Sequence, residues 1–173
     1  MPTGTPKGVI VVAPRPVGWP AMTDFVPDEF DPPVGLSMPQ FRLEPLGPQH
    51  NESDYAAWTS SMQHIRDTPG FATGSWPHEM TIDQNRDDLL RHERDFQART
   101  GFTYTVLAGE DGVIGCVYIY PLEPDSEPGA ALVESWVRAD RAELDVPLCR
   151  AVSDWLVRDW PFRRVDYAAR ENT

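Results

Sequence analysis

Cysteine and long apolar runs are both scarce in this chain. Its 173 residues include two cysteines, Cys116 and Cys149, and each lies in a segment with apolar periodicity. We therefore expect two buried thiols in a reducing compartment rather than a disulfide. No run approaches the roughly 20 apolar residues that a membrane-spanning helix needs. The apolar run at residues 8–13 is too short for a signal peptide, so the expected location is the cytoplasm.

Basic residues are also few. The chain has 15 Lys and Arg against 27 Asp and Glu, which gives a formal net charge of −12. Nucleic acids and anionic membranes are bound by clusters of basic side chains, so the composition argues against both as partners. A small-molecule amine or a peptide amine would instead be attracted. The hydrophobic content of 40% indicates a globular protein, and the length predicts one domain.

The first 40 residues are predicted to form a proline-rich arm, and residues 41–173 the folded domain. Helical periodicity is absent from the arm. Residues 9–12 predict a short edge strand, because prolines follow it closely. Three aromatic side chains indicate that the arm packs on the domain, with a disordered tail as the alternative: Trp19, Phe25 and Phe30.

Beyond residue 40, strand and helix periodicity succeed each other. A four-residue loop flanked by glycines joins two apolar runs and predicts a β-hairpin. Asn51 or Ser53 would cap a first helix, and a capping box from Thr81 would begin a second helix with Gly101 as its C′ residue. We predict, in order, a strand at 41–46, helices at 51–66 and 81–100, strands at 102–108, 113–120 and 130–137, a helix at 144–156 and a strand at 164–169. This order predicts an α/β fold with a mixed sheet.

This element order, with a hairpin before a strand–helix unit and one further strand, resembles the GNAT superfamily of acetyl-CoA-dependent N-acyltransferases. The likeness covers residues 41–173 and rests on that order and on the segment from Glu134 to Arg138 that leads into a helix. In the family, the pantetheine arm of the cofactor pairs with the strand before this helix, and the pyrophosphate lies at the helix N-terminus. The resemblance therefore implies acetyl-CoA as cofactor, held by the main chain of Trp136, Val137 and Arg138.

The stretch that would hold the pyrophosphate departs from the family pattern. The family has Arg or Gln there, then two residues, Gly, one residue, and Gly or Ala, so that the main chain approaches the phosphates. Residues 140–147 contain no glycine, and Glu143 and Asp145, or Leu144 and Val146 in a second register, take the small positions. A carboxylate about 5 Å from a phosphate charge costs roughly 3 kcal/mol at a dielectric near 20, or about a hundredfold in affinity. An ordinary helix start with Asp145 as N-cap is the other interpretation.

The C-terminal end is a second departure. The family continues beyond the equivalent of residues 164–169 with a helix and two strands, and that helix often carries a tyrosine that protonates the departing thiolate. Only residues 170–173 follow here, so no residue would inherit that role and a sheet edge would lack its neighbour. We expect the strand at residues 9–12 to cover this edge.

Glu134 is the candidate catalytic residue. It shares a strand face with Leu132 and Trp136, at a place where many family members keep a carboxylate that takes a proton from the substrate ammonium. The structural alternative is a carboxylate that pairs with an arginine or faces solvent. The alternation around Cys116 indicates a packing residue. The four histidines have no metal-ligand spacing, so no metal site is expected.

Two functions of different classes stay open. One is an acyltransferase that moves an acetyl or other acyl group from a CoA thioester to an amine. The other is a catalytically inactive GNAT-fold binding or assembly module that no longer binds acetyl-CoA, for which a homo-oligomer or a bound protein is the expected sign. Fold by itself does not choose between them.

Overall fold

The computed structural model describes residues 8–11, 25–123 and 128–171, and within these ranges seven strands form one sheet. The strands are β1 (Val9–Val11), β2 (Leu36–Ser37), β3 (Arg42–Pro45), β4 (Phe102–Leu107), β5 (Val113–Pro121), β6 (Ala130–Val137) and β7 (Arg164–Tyr167). The α-helices in the same ranges are α1 (Asn51–Thr59), α2 (Met62–Asp67), α3 (Ile82–Ala98) and α4 (Asp145–Asp159). The predicted α/β class is confirmed. None of the described helices is both long and apolar enough to cross a membrane.

The strands lie in the order β1-β7-β6-β5-β4-β3-β2. Neighbours are antiparallel except β6 and β7, which run parallel because α4 carries the chain back between them. The C-terminal ends of β6 and β7 therefore lie next to the N-terminal end of α4. This corner of the sheet is where the resemblance places a cofactor.

β1 covers the outer edge of β7. The pairing is antiparallel and places Ile10 opposite Val165. The N–H of Tyr167 also donates to the carbonyl of Gly8 at 3.1 Å. The expected edge strand is thus present over Val9–Val11, whereas Val12, the last residue predicted for it, lies outside the described residues.

The second half of the N-terminal arm lies on the domain. Phe25 stacks on Phe162 with 5.1 Å between the ring centroids. Phe30 meets Trp160 at 5.3 Å. Trp19, the third aromatic residue of the predicted arm, lies outside the described residues.

Apolar side chains pack against both faces of the sheet. α4 covers one face, and α1, α2 and α3 lie mainly over the other. β6 contributes to both clusters, with Val133 and Val137 on the α4 side and Trp136 on the opposite side. Because strand side chains alternate, Glu134 shares the face of Trp136 and points toward the α1–α3 layer.

The first predicted helix, at residues 51–66, is in fact two helices. The chain leaves helical geometry at Ser61, where φ is −131° and ψ is 18°. The Ser60 hydroxyl donates to the Ala57 carbonyl at 2.8 Å, and such serine bonds compete with the helical ladder. The Ser61 hydroxyl accepts the N–H of Ala139 at 2.9 Å. A local serine bond and a contact with a distant segment therefore both favour the break.

The end of α3 also corrects the prediction. Arg99, rather than Gly101, takes the left-handed conformation at the end of the helix, with φ of 63°. Its guanidinium donates to the carbonyls of Pro27 and Phe30 at 2.7 and 2.6 Å, which offsets the cost of that conformation and tethers the arm. Gly101 is needed for packing, because a Cβ there would overlap the ring of Tyr120.

Candidate functional site

A cleft of about 470 Å³ opens between α3, the loop that precedes it, and strands β5 and β6. Aromatic side chains form part of its wall: Phe71, Trp76 and Tyr118. Titratable side chains also line it: His78, Asp88, Arg91, His92 and Glu134. A concave site with apolar walls and a few convergent polar groups is the usual form of a small-molecule site. No three His, Cys, Asp or Glu side chains of the described residues are arranged to hold a metal ion.

Glu134 enters the cleft from β6, opposite Tyr118 of β5. Its side chain is half-buried, and this burial raises the pKa of its carboxyl above the ordinary value. Within the described ranges no residue hydrogen-bonds the carboxylate, so the arginine pairing that was part of the structural alternative is not found there. A desolvated carboxylate without a protein partner is suited to bind a cation or to accept a proton.

α3 brings three further polar residues to the cleft. Arg91 donates to the Asp88 carboxylate at 2.5 Å and lies 3.6 Å from Asp95, so carboxylates balance its charge. Burial, together with the positive charge of Arg91, lowers the pKa of His92 to about 4. The imidazole is therefore neutral at neutral pH, and Glu134 leaves the cleft with an excess of negative charge.

The parallel strands β6 and β7 stop pairing at Val133 and Tyr167. β6 continues to Val137 without a β7 partner, which leaves a gap on that side of its main chain. The hydroxyls of Ser135 and Tyr167 still meet across the gap at 2.6 Å. In the family that the sequence resembles, this gap is where the pantetheine arm pairs.

Arg170 fills this gap. Its guanidinium donates to the Ser135 carbonyl at 2.8 Å and to the Ala168 carbonyl at 2.9 Å. It also donates to both oxygens of the Asp145 carboxylate, at 2.7 and 3.3 Å. Only 4% of the Arg170 side chain is exposed. A main-chain acceptor on the open side of β6 is thus already bonded by the protein itself.

The turn before α4 offers few free N–H groups. A 3₁₀ helix at Ala139–Leu144 leads directly into α4. Three N–H groups of this corner already have protein acceptors: those of Ala139, Arg141 and Asp145. An anion site at a helix N-terminus depends on unpaired N–H groups, so this one is largely occupied.

Asp145 is not the N-cap that the sequence predicts. Leu144 holds the N-cap position, and Asp145 is the first residue of α4. The difference arises because the Asp145 carboxylate turns to Arg170 instead of bonding the N–H groups of its own helix. A negative charge in the first turn still favours the helix through its dipole.

The three residues predicted to hold the cofactor follow one another at the end of β6. Trp136 is fully buried, and its Nε1–H donates to the Tyr118 hydroxyl at 3.0 Å. The N–H of Arg138 donates to the Ile114 carbonyl at 2.7 Å, on the β5 side. By strand alternation, Val137 is the one of the three whose main chain faces the gap. Their role as cofactor ligands stays a prediction.

The residues at this corner do not fit coenzyme A in the arrangement that the structure shows. The pantetheine arm needs the gap that Arg170 fills, and a diphosphate at the start of α4 would meet the Asp145 carboxylate. Two other arginines of this corner are paired, Arg138 with Asp140 at 2.8 Å and Arg141 with Asp111. In the part of the chain that the structure describes, the gap beside β6 is thus filled by Arg170, and Arg138 and Arg141 are paired.

The comparisons with known proteins give matches in structure only. No protein-family model matches the sequence, and no curated protein matches it significantly. Solved structures match over most of the chain, and they are acetyltransferases. At 12% to 14% identity this likeness shows the fold, which is that of the GNAT acetyltransferases. The fold that the resemblance implied is confirmed.

Three of these neighbours illustrate the extent of the likeness. The apo form of RimL, the ribosomal L7/L12 α-N-protein acetyltransferase, matches with a TM-score of 0.57 at 13% identity. The match covers 89% of this chain and 74% of the RimL chain. The ribosomal-protein-S5-alanine acetyltransferase from Vibrio fischeri has a TM-score of 0.55 at 14% identity, covering 72% and 67%. The microcin C7 self-immunity acetyltransferase MccE, solved with acetyl-CoA and AMP, has a TM-score of 0.52 at 12% identity, covering 72% and 67%.

Sequence reasoning missed two functional candidates. Arg170 stands in the short segment after β7, where nothing local marks it as buried. His92 had a usable signal, because Asp88 and Asp95 lie four and three residues away and so share its face of α3. The sequence predicts Glu134 on the correct strand face, but the cleft around it depends on how α3 packs on the sheet.

Proposed function

We propose that this protein is a non-catalytic binding protein with the GNAT fold, and that its cleft takes an amine ligand. The observation that carries the proposal is Arg170, whose buried guanidinium occupies the gap between β6 and β7. Removing it from the gap would leave the partly buried Asp145 carboxylate without its partner, which destabilises that arrangement. A cofactor would therefore have to overcome both the loss of this ion pair and the remaining negative charge.

The chemistry of the cleft supports a cationic ligand. Phe71, Trp76 and Tyr118 offer aromatic surface, which attracts organic cations through the ring quadrupole. Glu134 supplies a carboxylate that no described residue bonds. The net charge of −12 draws cations toward the protein as a whole. A protonated amine with an apolar body is complementary to these walls.

Calorimetric titration with acetyl-CoA tests the closed gap. We expect the wild-type protein to give no binding heat at about millimolar cofactor. Arg170→Ala and the bulkier Arg170→Gln remove the guanidinium, and weak binding is expected to appear in at least one of them. Adding Asp145→Asn removes the opposing carboxylate and is expected to strengthen that binding by up to about a hundredfold. Arg158→Gln, at an exposed arginine of α4, is the matched control and is expected to behave as wild type.

Acyl transfer from a CoA thioester to an amine is the second candidate, and Glu134 is the observation that favours it. Its carboxylate lies in the cleft on the strand that borders the gap, and burial raises its pKa above the ordinary value. In this function the main chain of Trp136, Val137 and Arg138 would hold the cofactor. Micromolar binding of acetyl-CoA by the wild type would establish this candidate in place of the first. Turnover with an amine should then fall by about a hundredfold to ten-thousandfold in Glu134→Gln.

A further inference from the structure

His92 has hydrogen-bond partners that the proposed function does not use. On one side of the ring, Nδ1 lies 2.8 Å from the Tyr120 hydroxyl and 2.9 Å from the Thr103 hydroxyl. The Tyr120 hydroxyl in turn donates to the Asp95 carboxylate at 2.9 Å. A chain of contacts therefore runs from a carboxylate on α3, through a tyrosine on β5, back to an imidazole on α3.

This chain selects one tautomer of the imidazole. The Tyr120 hydroxyl has one proton, and the Asp95 carboxylate only accepts, so that proton lies between Tyr120 and Asp95. The Tyr120 oxygen then faces Nδ1 as an acceptor, and this shorter contact favours a hydrogen on Nδ1, which the Thr103 hydroxyl can accept as well. The Nε2 atom of His92 is left with its lone pair.

The Nε2 atom of His92 faces Arg91 and Asp88. Its neighbours are Arg91, with Nη2 at 3.5 Å, and Asp88, with Oδ2 at 3.8 Å, and all three residues line the cleft. The contact with Arg91 is at the outer limit of a hydrogen bond, and Asp88 is too far away to make one. A ligand in the cleft can therefore offer Nε2 a better donor than the protein does. The lowered pKa of His92, caused by burial and by Arg91, keeps this acceptor unprotonated at neutral pH.

We propose that His92 is a second ligand-binding residue of the cleft, which accepts an N–H of the ligand at Nε2 while Glu134 holds the ligand's charge. Tyr120 and Asp95 are the positioning residues that fix its tautomer. This inference rests on the proposed function, and it narrows the ligand to an ammonium that carries at least one N–H and has an apolar body. A quaternary ammonium has no N–H and so makes only the charge contact with Glu134 and the aromatic contacts.

The test pairs two probes that differ in their N–H groups. Benzylamine and benzyltrimethylammonium are titrated calorimetrically into the wild-type protein and into the His92→Phe, His92→Gln and Tyr120→Phe variants. We expect the wild type to prefer benzylamine by about tenfold or more, the worth of one charge-assisted hydrogen bond. The preference should fall by about tenfold in His92→Phe, to what the N–H groups still gain from Glu134, fall less in His92→Gln, whose amide oxygen accepts, and shrink in Tyr120→Phe. His64→Phe, outside the cleft lining, is the control and should keep the wild-type preference.

A second readout needs no variant. Nitrogen-15 NMR of the wild type is expected to show the hydrogen of His92 on Nδ1, and the Nε2 resonance is expected to shift when benzylamine is added. An Nε2–H tautomer, or equal affinity for the two probes in every variant, would overturn the inference and leave the proposed cleft binding intact. Failure of both probes to bind the wild type would instead count against the proposed amine function, while the NMR result would still decide the tautomer.

Discussion

Asp54 of α1 is a carboxyl group enclosed by polar side chains of α1 and α3. The Asn85 amide donates to it at 3.1 Å and accepts the Trp58 Nε1–H at 3.0 Å. Burial raises the pKa of Asp54 to about 6, and the bond from Asn85 opposes this only in part. The network joins α1 to α3, whereas the burial of the carboxyl favours its protonated form.

The raised pKa gives a stability change with a definite sign. The carboxyl ionises near its ordinary value of 3.8 in the unfolded chain and near 6 in the folded one, so between these values the unfolded state binds fewer protons. The free energy of unfolding therefore falls as pH rises through this window and stays low above it. We expect the wild type to lose up to about 3 kcal/mol between about pH 4 and pH 7 relative to Asp54→Asn.

Urea unfolding of the two proteins at several pH values measures this difference. Contributions from the other carboxyl groups are common to both proteins and cancel in the comparison. Two stability curves that run parallel across the window would contradict the assignment of a protonated Asp54 to the folded state.

Individual residues of the site differ in how far a sequence pattern can predict their position and contacts. The alternation along β6 correctly predicts that Glu134 and Trp136 share a face, because strand periodicity depends only on neighbouring residues. Asp145 also looked like an N-cap, which is a local property. Its true partner, Arg170, is 25 residues away, and a local rule has no access to that contact.

At the scale of secondary-structure elements, β1 covers the sheet edge that β7 would otherwise expose. The bond from the Tyr167 N–H to the Gly8 carbonyl fixes the register, and by antiparallel alternation the main chain of Ile10 faces β7 while that of Val9 faces away. Ile10→Pro should therefore remove a ladder hydrogen bond and lower the free energy of unfolding by about 1–3 kcal/mol. Val9→Pro, whose N–H is not used in the ladder, is the matched control and should change stability little.

Thermal unfolding and size-exclusion chromatography check this expectation. An uncovered β7 edge offers free N–H and carbonyl groups, so Ile10→Pro should also associate at high concentration. Equal stability and equal elution of the two proline variants would show that β1 does not protect the edge.

The limits of some elements follow from neighbouring residues, and those of others follow from contacts with distant segments. The hairpin of β4 and β5 and the unit of β6 and α4 follow the predicted order, because their periodicity is strong and their turns are short. The break between α1 and α2 was not predicted, since Ser61 is held by the N–H of Ala139, 78 residues later. The end of α3 at Arg99 likewise depends on carbonyls of the arm, 69 and 72 residues earlier.

At the scale of the whole molecule, the large negative net charge affects stability. A net charge of −12 disfavours the compact state through self-repulsion, and added salt screens that repulsion. Raising sodium chloride from about 0.02 M to about 0.5 M shortens the screening length from about 20 Å to about 4 Å. We therefore expect the unfolding temperature at neutral pH to rise by about 2–4 °C for each 1 kcal/mol of relieved repulsion.

Differential scanning calorimetry at two pH values provides the control. Near the isoelectric point of about 4.6 the net charge vanishes, and the salt effect should vanish with it. A salt effect of equal size at both pH values would trace the stabilisation to a cause other than net charge.

The sequence by itself determined the mixed sheet, a short edge strand within residues 9–12, the face on which Glu134 lies and the order of elements from residue 41 onward, apart from the break between α1 and α2. The short strand β2 was not predicted. These features follow from periodicity and turn chemistry, which act over a few neighbouring residues. Only the tertiary structure decided that Arg170 closes the gap between β6 and β7 and that Tyr120 sets the tautomer of His92. Those contacts join residues 25 to 35 positions apart, and they exist because packing the helices on the sheet brings buried polar groups together that must then satisfy one another.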